Sequence, residues 1–382
     1  MKIGLICPYN ITKGGGVQEI VRAMYKELSG RGHEVRIITP EPREMADEFR
    51  TEEMIFVGGA ADFRSPLATT AQISAAKDMA LIDEMLGREN FDILHFHEPW
   101  VPMLSRQILS RSEAINIATF HAKLPETVMS RTLATVVAPY TAAVLRHLDC
   151  LTAVSMAAAE YVRSMTDAPV EIIPNGIDLS DFKPPASFAD IHKPVKTILF
   201  LGRLERRKGV IHLLRAYQKL VETCSDVELV IAGDGPDRRK LEYKVEELEL
   251  PNVTFLGYVS DAQKHQLLRS ADLFCAPALY GESFGIVLLE AMASGLVTVA
   301  GNNPGYASVM QELGSISLVN PKEPAEFARR MDVMLHDEGL RRLWRKWGLS
   351  YVKQFNYPAI VDEYERVYRT AHKAATPVAE LV

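Results

Sequence analysis

A chain of 382 residues exceeds the roughly 250–300 residues over which a single core usually grows, so two domains are expected. Hydrophobic residues make up 47% and charged residues 24%, as in ordinary globular chains, and a net charge of -6 provides no general attraction for nucleic acid. The 4 cysteines are widely spaced and form no CxxC pair, which points to reduced structural thiols rather than a disulfide or zinc framework.

The amino terminus enters a strand at 2–7 directly, with no signal-peptide pattern. The turn Thr12-Lys13-Gly14-Gly15-Gly16 follows, then a helix over 17–31 and strands at 34–39, 92–97, 116–119 and 150–154. Strands alternating with helical patterns imply a parallel sheet covered on both faces. After a proline-bearing segment at 177–194 the plan restarts with strand 196–201, helix 209–223, strand 227–232 and helix 236–248. Strands at 253–256, 273–276 and 297–299 continue it, and helical patterns near 324–353 and over 358–374 close the chain. No apolar run reaches the roughly 18 residues of a membrane span, so a cytoplasmic chain is expected, in contact at most with the inner face of the cell membrane. The expected fold class is α/β: two facing Rossmann-like domains with parallel sheets and the active site in the inter-domain cleft. The domains are expected at 1–182 and 183–356, with a helix in 357–382 crossing back onto the first.

Chemistry concentrates where strands end. The segment Gly281-Glu282-Ser283-Phe284-Gly285-Ile286-Val287-Leu288-Leu289-Glu290 sets two carboxylates eight residues apart. A helix starting near Phe284 presents unpaired amides and the positive end of its dipole between them. Phosphate on that helix start, with hydroxyls on either carboxylate, describes a sugar nucleotide. Gly202-Arg203 ends strand 196–201, and Arg206-Arg207-Lys208-Gly209 follows within one turn. Such a run in isolation is a solvated turn, but its strand–loop–helix setting favours an anion, with Arg203 and Lys208 astride a diphosphate leaving group.

Other motifs carry less. Gly15 and Gly16 permit close backbone approach to phosphate or sugar, a plain tight turn being the equal alternative. Gly233-Asp234-Gly235-Pro236 is a turn ahead of a helix, and 255–259, ending at Val259, is a weak edge for a nucleobase. His121 ends strand 116–119, where it either bonds a reacting sugar or packs at the domain surface. His95-Phe96-His97 with Glu98 is a weak metal candidate, unaccompanied by a further ligand cluster or a DxD. The chain lacks the dinucleotide fingerprint, which disfavours an NAD-dependent dehydrogenase, and lacks Walker A, GxSxG, HExxH and kinase signatures.

Taken together, these motifs resemble the retaining glycosyltransferases of the GT-B fold, the glycogen-synthase-like family 4, over nearly the whole chain. The resemblance rests on residues 14–18, His121, Pro174-Asn175-Gly176-Ile177-Asp178, Gly202-Arg203, Lys208-Gly209, residues 233–236 and the Glu282-to-Glu290 segment. Cys7-Pro8-Tyr9, Gly15-Gly16-Val17-Gln18, His95-Phe96-His97-Glu98-Pro99, Ala118-Thr119-Phe120-His121 and residues 282–293 narrow it to the bacterial phosphatidylinositol mannosyltransferases. It implies an acceptor-side first domain and a nucleotide-sugar-binding second domain. By the same resemblance Gly15 and Gly16 approach the sugar and diphosphate, and Gly233, Val259 and Ser283 stand on the donor side. Arg203 and Lys208 neutralise the diphosphate, Glu282 holds the donor sugar's hydroxyls, the amides of Phe284, Gly285 and Ile286 bind phosphate or sugar, and Glu290 takes the ribose. His121 lies by the anomeric centre, while Tyr9, Gln18 and Arg207 face an inositol phosphate acceptor.

The implied reaction moves a hexose with retention, mannose from GDP-mannose being favoured, onto a lipid such as phosphatidylinositol or another polyol-phosphate acceptor. A UDP-glucose or UDP-GlcNAc enzyme on another lipid or soluble acceptor is the alternative, and a non-catalytic nucleotide-sugar-binding protein a distant one. No tightly bound cofactor and no protein metal site are implied; Mg2+ would enter only with the diphosphate. Two stretches depart from the subgroup. Where it carries a basic helix for anionic lipid, residues 68–89 offer Lys77 and Arg88 against Asp78, Asp83, Glu84 and Glu89, so attraction to a membrane surface is expected to be weak. Ala122-Lys123-Leu124-Pro125-Glu126 replaces hydroxyl residues after His121.

Overall fold

In this chain the carboxyl ends of parallel strands carry nearly every motif of interest, so the sheets decide which motifs meet. The computed structural model describes residues 1–12, 14–42, 51–64, 70–75, 78–101, 103–122, 138–184 and 194–375. Lys13, Lys77, Lys123, Leu124, Pro125, Glu126 and Pro185 therefore lie outside the described residues. Two compact units emerge: Met1–Gly176 together with Tyr357–Val382, and Ile177–Asn356. Residues 177–182 thus group with the second unit.

The first unit holds β1 (Lys2–Ile6), β2 (Glu34–Glu41), β3 (Met54–Arg64), β4 (Thr70–Ala75), β5 (Ile93–His97), β6 (Ile115–Phe120), β7 (Cys150–Ala153) and β8 (Val170–Ile172). They form one sheet in the order β4-β3-β2-β1-β5-β6-β7-β8. All pairs are parallel except β3 with β4. Ile3 is registered between Val35 and Ile93, and all three are buried, as strands covered on both faces require. β3 and β4 were not foreseen in the sequence. The apolar run Met54-Ile55-Phe56-Val57 passes into Gly58-Gly59-Ala60, which interrupts any period of two.

The helix Tyr357–Ala375 belongs to this unit. It buries Ile360, Val361, Tyr364, Val367 and Tyr368, a stripe spaced for one helix face, and packs on the helix Gly16–Gly30 and on β6. Burial of each such side chain contributes about 1.5–3 kcal/mol. Glu365, also buried, pairs with Arg31 and with His33 Nε2 at 2.7 Å.

The second unit contains β9 (Lys196–Leu201), β10 (Val227–Ala232), β11 (Val253–Gly257), β12 (Leu273–Ala276), β13 (Thr298–Gly301) and β14 (Leu318–Val319). Their order is β11-β10-β9-β12-β13-β14, all parallel. Helix Val210–Val221 buries Val210, Leu213, Leu214, Tyr217 and Leu220 and packs on helix Pro324–His336. The pattern read at 324–353 is two helices, Pro324–His336 and Glu338–Tyr351. Asp337 divides them: its backbone is extended and its side chain accepts the Leu340 amide at 2.9 Å. The unit's two ends meet, since the Ile177 amide donates to the Phe355 carbonyl at 2.8 Å. Among the described residues no helix is long and apolar enough to cross a membrane.

Candidate active site

In each sheet the chain reverses its direction of growth once. It builds β1, β2 and β3 to one side and then places β5 on the other side of β1; it repeats this with β9, β10 and β11 and then β12. Adjacent strands whose connections leave in opposite directions open a crevice at their carboxyl ends, where open α/β sheets take their ligands. The loops after β9 and β12 are the ones that carry residues 202–209 and 277–285.

In the second unit these loops interlock. Residues Arg206–Lys208 form a single 3-10 turn, and the Arg207 carbonyl accepts the Leu279 amide at 2.8 Å. Glu282, buried, receives both neighbouring cations on one oxygen: Arg207 Nη1 at 2.6 Å and Lys208 Nζ at 2.8 Å from Oε1. Glu205, also buried, takes Arg207 Nε at 2.9 Å on Oε2 and Arg203 Nε at 3.0 Å on Oε1. Burial opposes the Arg207 charge, but Glu282 and Glu205 outweigh it and hold its pKa above the ordinary value. Three cations thus share two buried carboxylates, leaving one positive charge in a cluster whose Arg203 is half exposed.

The helix after this loop is Ile286–Ala293, two residues later than the expected start at Phe284. Gly285 causes the delay. It caps the helix at φ 114°, a left-handed conformation that a side chain resists, and a Cβ there would stand 2.6 Å from the Tyr306 ring. Gly305 lies as close on the other side, where a Cβ would stand 2.1 Å from the Glu282 carbonyl oxygen. Ser283 and Phe284 lie between, with the Phe284 ring buried edge-on to Phe355. The Gly285 carbonyl accepts the Leu288 amide at 2.9 Å, which closes the first turn. Glu290, one turn further, accepts Lys264 Nζ at 2.8 Å. Gly233 opens the loop after β10 and donates its amide to Gly257 at 2.7 Å; Val259, half-buried, follows β11. Arg203, Arg207, Lys208 and Glu282 are therefore one cluster, while Ser283, Phe284, Gly285, Ile286 and Glu290 form the adjoining helix start.

In the first unit, Tyr9, Gly15, Gly16 and Gln18 follow β1. Gly15 precedes the helix Gly16–Gly30 as its cap residue, and Gln18 Nε2 donates to the Asn10 carbonyl at 3.4 Å. Burial, with Glu98 and Cys7 adding to it, pushes the Tyr9 phenol well above its ordinary pKa. His121 follows β6. Its amide and that of Ala122 both donate to Glu98 Oε2 at 2.8 Å, and its Nε2 meets His97 Nδ1 at 2.9 Å. Burial lowers the His121 pKa to about 4, against a contact with Asn175, so the ring is neutral at neutral pH.

The HxH motif is engaged by the protein's own contacts at every ring nitrogen but His97 Nε2, which is buried without a partner. His95 meets Tyr368 Oη at 2.6 Å and Thr119 Oγ1 at 2.7 Å, and His97 stacks between the rings of His95 and His121. With Glu98 turned to two amides, this segment organises His121. Glu205 and Lys264 were missed in the sequence. Lys264 lies in the first turns of the helix Asp261–Ser270, which starts at the same sheet edge, and that placement was the available signal.

Known proteins share this arrangement. Residues 14–181 match the family model described as Glycosyltransferase Family 4, and residues 187–349 match that described as Glycosyl transferases group 1. The phosphatidyl-myo-inositol mannosyltransferase of Mycobacterium tuberculosis is 33% identical over 381 residues, 97% of this chain and 97% of its own. That of Mycolicibacterium smegmatis is 31% identical, over 99% of this chain and 96% of its own. The chain belongs to this family of glycosyltransferases. Sucrose-phosphate synthase from Thermosynechococcus elongatus shares the transferase's fold at a TM-score of 0.76 and 23% identity, over 98% of this chain and 100% of its own. HepE from Anabaena, solved in complex with UDP-glucose, does so at a TM-score of 0.74 and 19% identity, over 97% and 100%. The transferase has the GT-B fold of two Rossmann-like domains.

Proposed function

We propose that the transferase moves mannose from GDP-mannose, with retention at the anomeric carbon, onto phosphatidylinositol or a closely related lipid. The observation that carries the chemistry is the clamp of Arg207 and Lys208 on Glu282, placed at the sheet's switch point beside the Gly285 helix start. The names of the mannosyltransferases matched over nearly the full chain support mannose as the sugar and phosphatidylinositol as the acceptor.

A donor diphosphate is drawn to the surplus cation of that cluster and to the amides at residues 284–286. Arg203 and Lys208 then stabilise the charge that grows on the leaving phosphate. Glu282 receives hydroxyls of the sugar, and Glu290 the ribose. Gly233, Val259 and Ser283 border the donor, and Gly15 and Gly16 approach it with bare backbone. His121, held neutral, lies near the anomeric centre without adding positive charge to an oxocarbenium-like transition state. Tyr9, Gln18 and Arg207 serve the acceptor phosphate, and Arg207 also ties that side of the reaction to Glu282. With no carboxylate assigned as nucleophile, displacement proceeds on the front face and the leaving phosphate assists deprotonation. Any Mg2+ accompanies the diphosphate.

The helix Ala80–Glu89 offers little to an anionic leaflet. Its Arg88 pairs with Glu89 at 3.0 Å, its Asp83 with Arg111 at 3.1 Å, and Glu89 also with Lys2 at 3.0 Å. Any contact with the membrane is therefore peripheral and led by the acceptor. The test is turnover with GDP-mannose, UDP-glucose and UDP-GlcNAc, each with and without phosphatidylinositol vesicles, and the anomeric configuration of the product by NMR. An α-mannosyl lipid formed from GDP-mannose alone is expected. Preference for a UDP sugar, or a trapped glycosyl-enzyme on a carboxylate, overturns the corresponding part of the reading.

A further inference from the structure

We propose that the second unit carries a zinc-type metal site built from Cys224, Asp332 and His336, at the opposite edge of its sheet from Glu282. Cys224 follows the helix Val210–Val221, and its amide still bonds the Leu220 carbonyl at 2.9 Å. Asp332 and His336 lie one turn apart near the end of the partner helix Pro324–His336. The packing of these two helices brings a thiol, a carboxylate and an imidazole to one point.

The geometry suits a small tetrahedral ion. Asp332 Oδ1 stands 3.4 Å from Cys224 Sγ and 2.7 Å from His336 Nδ1, and the ligand atoms of all three residues lie within 4.8 Å of one another. Zinc bonds of about 2.3 Å to sulfur and about 2.0–2.1 Å to nitrogen and oxygen place neighbouring ligands roughly 3.3–3.6 Å apart, so shifts below about one ångström admit the ion. The Cys224 thiol now donates its proton to Asp332 Oδ1. On binding, the sulfur–hydrogen bond gives way to a metal–sulfur bond and its proton leaves to solvent. His336 would bind through Nδ1 as the neutral ring with its proton on Nε2, which faces Asp226 Oδ2 at 3.9 Å. A carboxylate behind the far nitrogen of a ligating histidine is the usual support for such a ligand.

Soft sulfur and nitrogen donors select zinc, cobalt or copper over magnesium and calcium. Three protein ligands leave a fourth position for water. Side-chain exposure of 47% at Asp332 and 33% at His336 gives an ion access to the site.

The experiment uses the full, untagged chain stripped with a chelator and titrated with Zn2+, and separately with Co2+ for its spectrum. One ion per chain is expected, with a thiolate-to-cobalt charge-transfer band in the near ultraviolet. Cys224→Ser abolishes the band, and His336→Gln weakens Zn2+ binding about ten-fold or more, while Cys150→Ser leaves both unchanged. Zn2+ raises the melting temperature of the parent but not of Cys224→Ser, which without metal melts close to the parent. Absence of binding at micromolar Zn2+, or a band that survives Cys224→Ser, overturns the proposal.

Discussion

The charges at the candidate active site pair with one another before any substrate arrives, with one cation in surplus. Glu282 holds Arg207 and Lys208, and Glu205 holds Arg203 and Arg207. Removing Glu282 therefore leaves Lys208 without a carboxylate partner and Arg207 with Glu205 alone, rather than creating a buried unpaired acid. Glu282→Ala is expected to lower turnover by about a hundred-fold or more, the scale of losing a major transition-state contact, while GDP affinity holds or rises. Steady-state kinetics with calorimetry of GDP binding checks this; an equal loss of both would assign the residue to nucleotide positioning. Legibility at this scale was uneven. Glu282, Lys208 and Glu290 stood out because carboxylates and cations flanked strand ends and a small-residue turn. Glu205 and Lys264 did not, since a charged residue in a loop or on a polar helix reads as solvated until the tertiary structure shows what it faces. Gly305 was equally silent, because its constraint comes from a carbonyl 23 positions earlier in the chain.

Most elements could be anticipated from sequence, and the exceptions share a cause. Strands such as β1, β9 and β12 are largely buried and show as near-continuous apolar runs. β8 and β14, of 3 and 2 residues, are too short to display any period, and β3 runs through glycines. The helix Tyr357–Ala375 showed its period, while its polar anchor did not. Glu365 joins it to Arg31 and His33, and despite the opposing effect of burial those partners and Arg369 lower its pKa to about 2. A carboxylate so depressed adds stability above its unfolded value of 4.5, which is lost as the pH falls toward 2. Glu365→Gln leaves Arg31 and His33 without that charge and is expected to cost about 3 kcal/mol. Urea denaturation combined with hydrogen exchange in residues 357–375 measures it; unchanged exchange would mean that the apolar stripe alone holds the helix.

At the scale of the whole molecule, the titrating groups are unequally shared. The first unit buries His95, with a pKa lowered to about 3, His121, lowered to about 4, and His97, lowered well below its usual value, all chiefly by burial. Each stays neutral in the fold but binds a proton near pH 6.5 when unfolded, so the stability it provides is present above about pH 6.5 and is lost as the pH falls. Glu98 acts in the opposite sense: burial raises it to about 7, against the His121 and Ala122 amides, and acid relieves it between pH 7 and 4.5. Three groups against one, at about 1.4 kcal/mol per pH unit each, leave a net loss on the order of 2–3 kcal/mol per unit below pH 6.5. Hydrogen exchange at pH 7 and pH 5 is expected to show β5 and β6 opening before β9 and β12; simultaneous or reversed opening would contradict it.

The meeting of Ile177 with Phe355 has a consequence for synthesis on the ribosome. The second unit is one uninterrupted insertion whose ends close on themselves, so it can finish folding while the last helix is still being made. The first unit cannot: Thr119 waits for Tyr364, 245 residues later, and His95 for Tyr368, 273 residues later. At about 5–20 residues per second, that interval is on the order of ten seconds or more. For that time the older sheet stands with one face unfinished, and the half of the molecule that starts first is completed last.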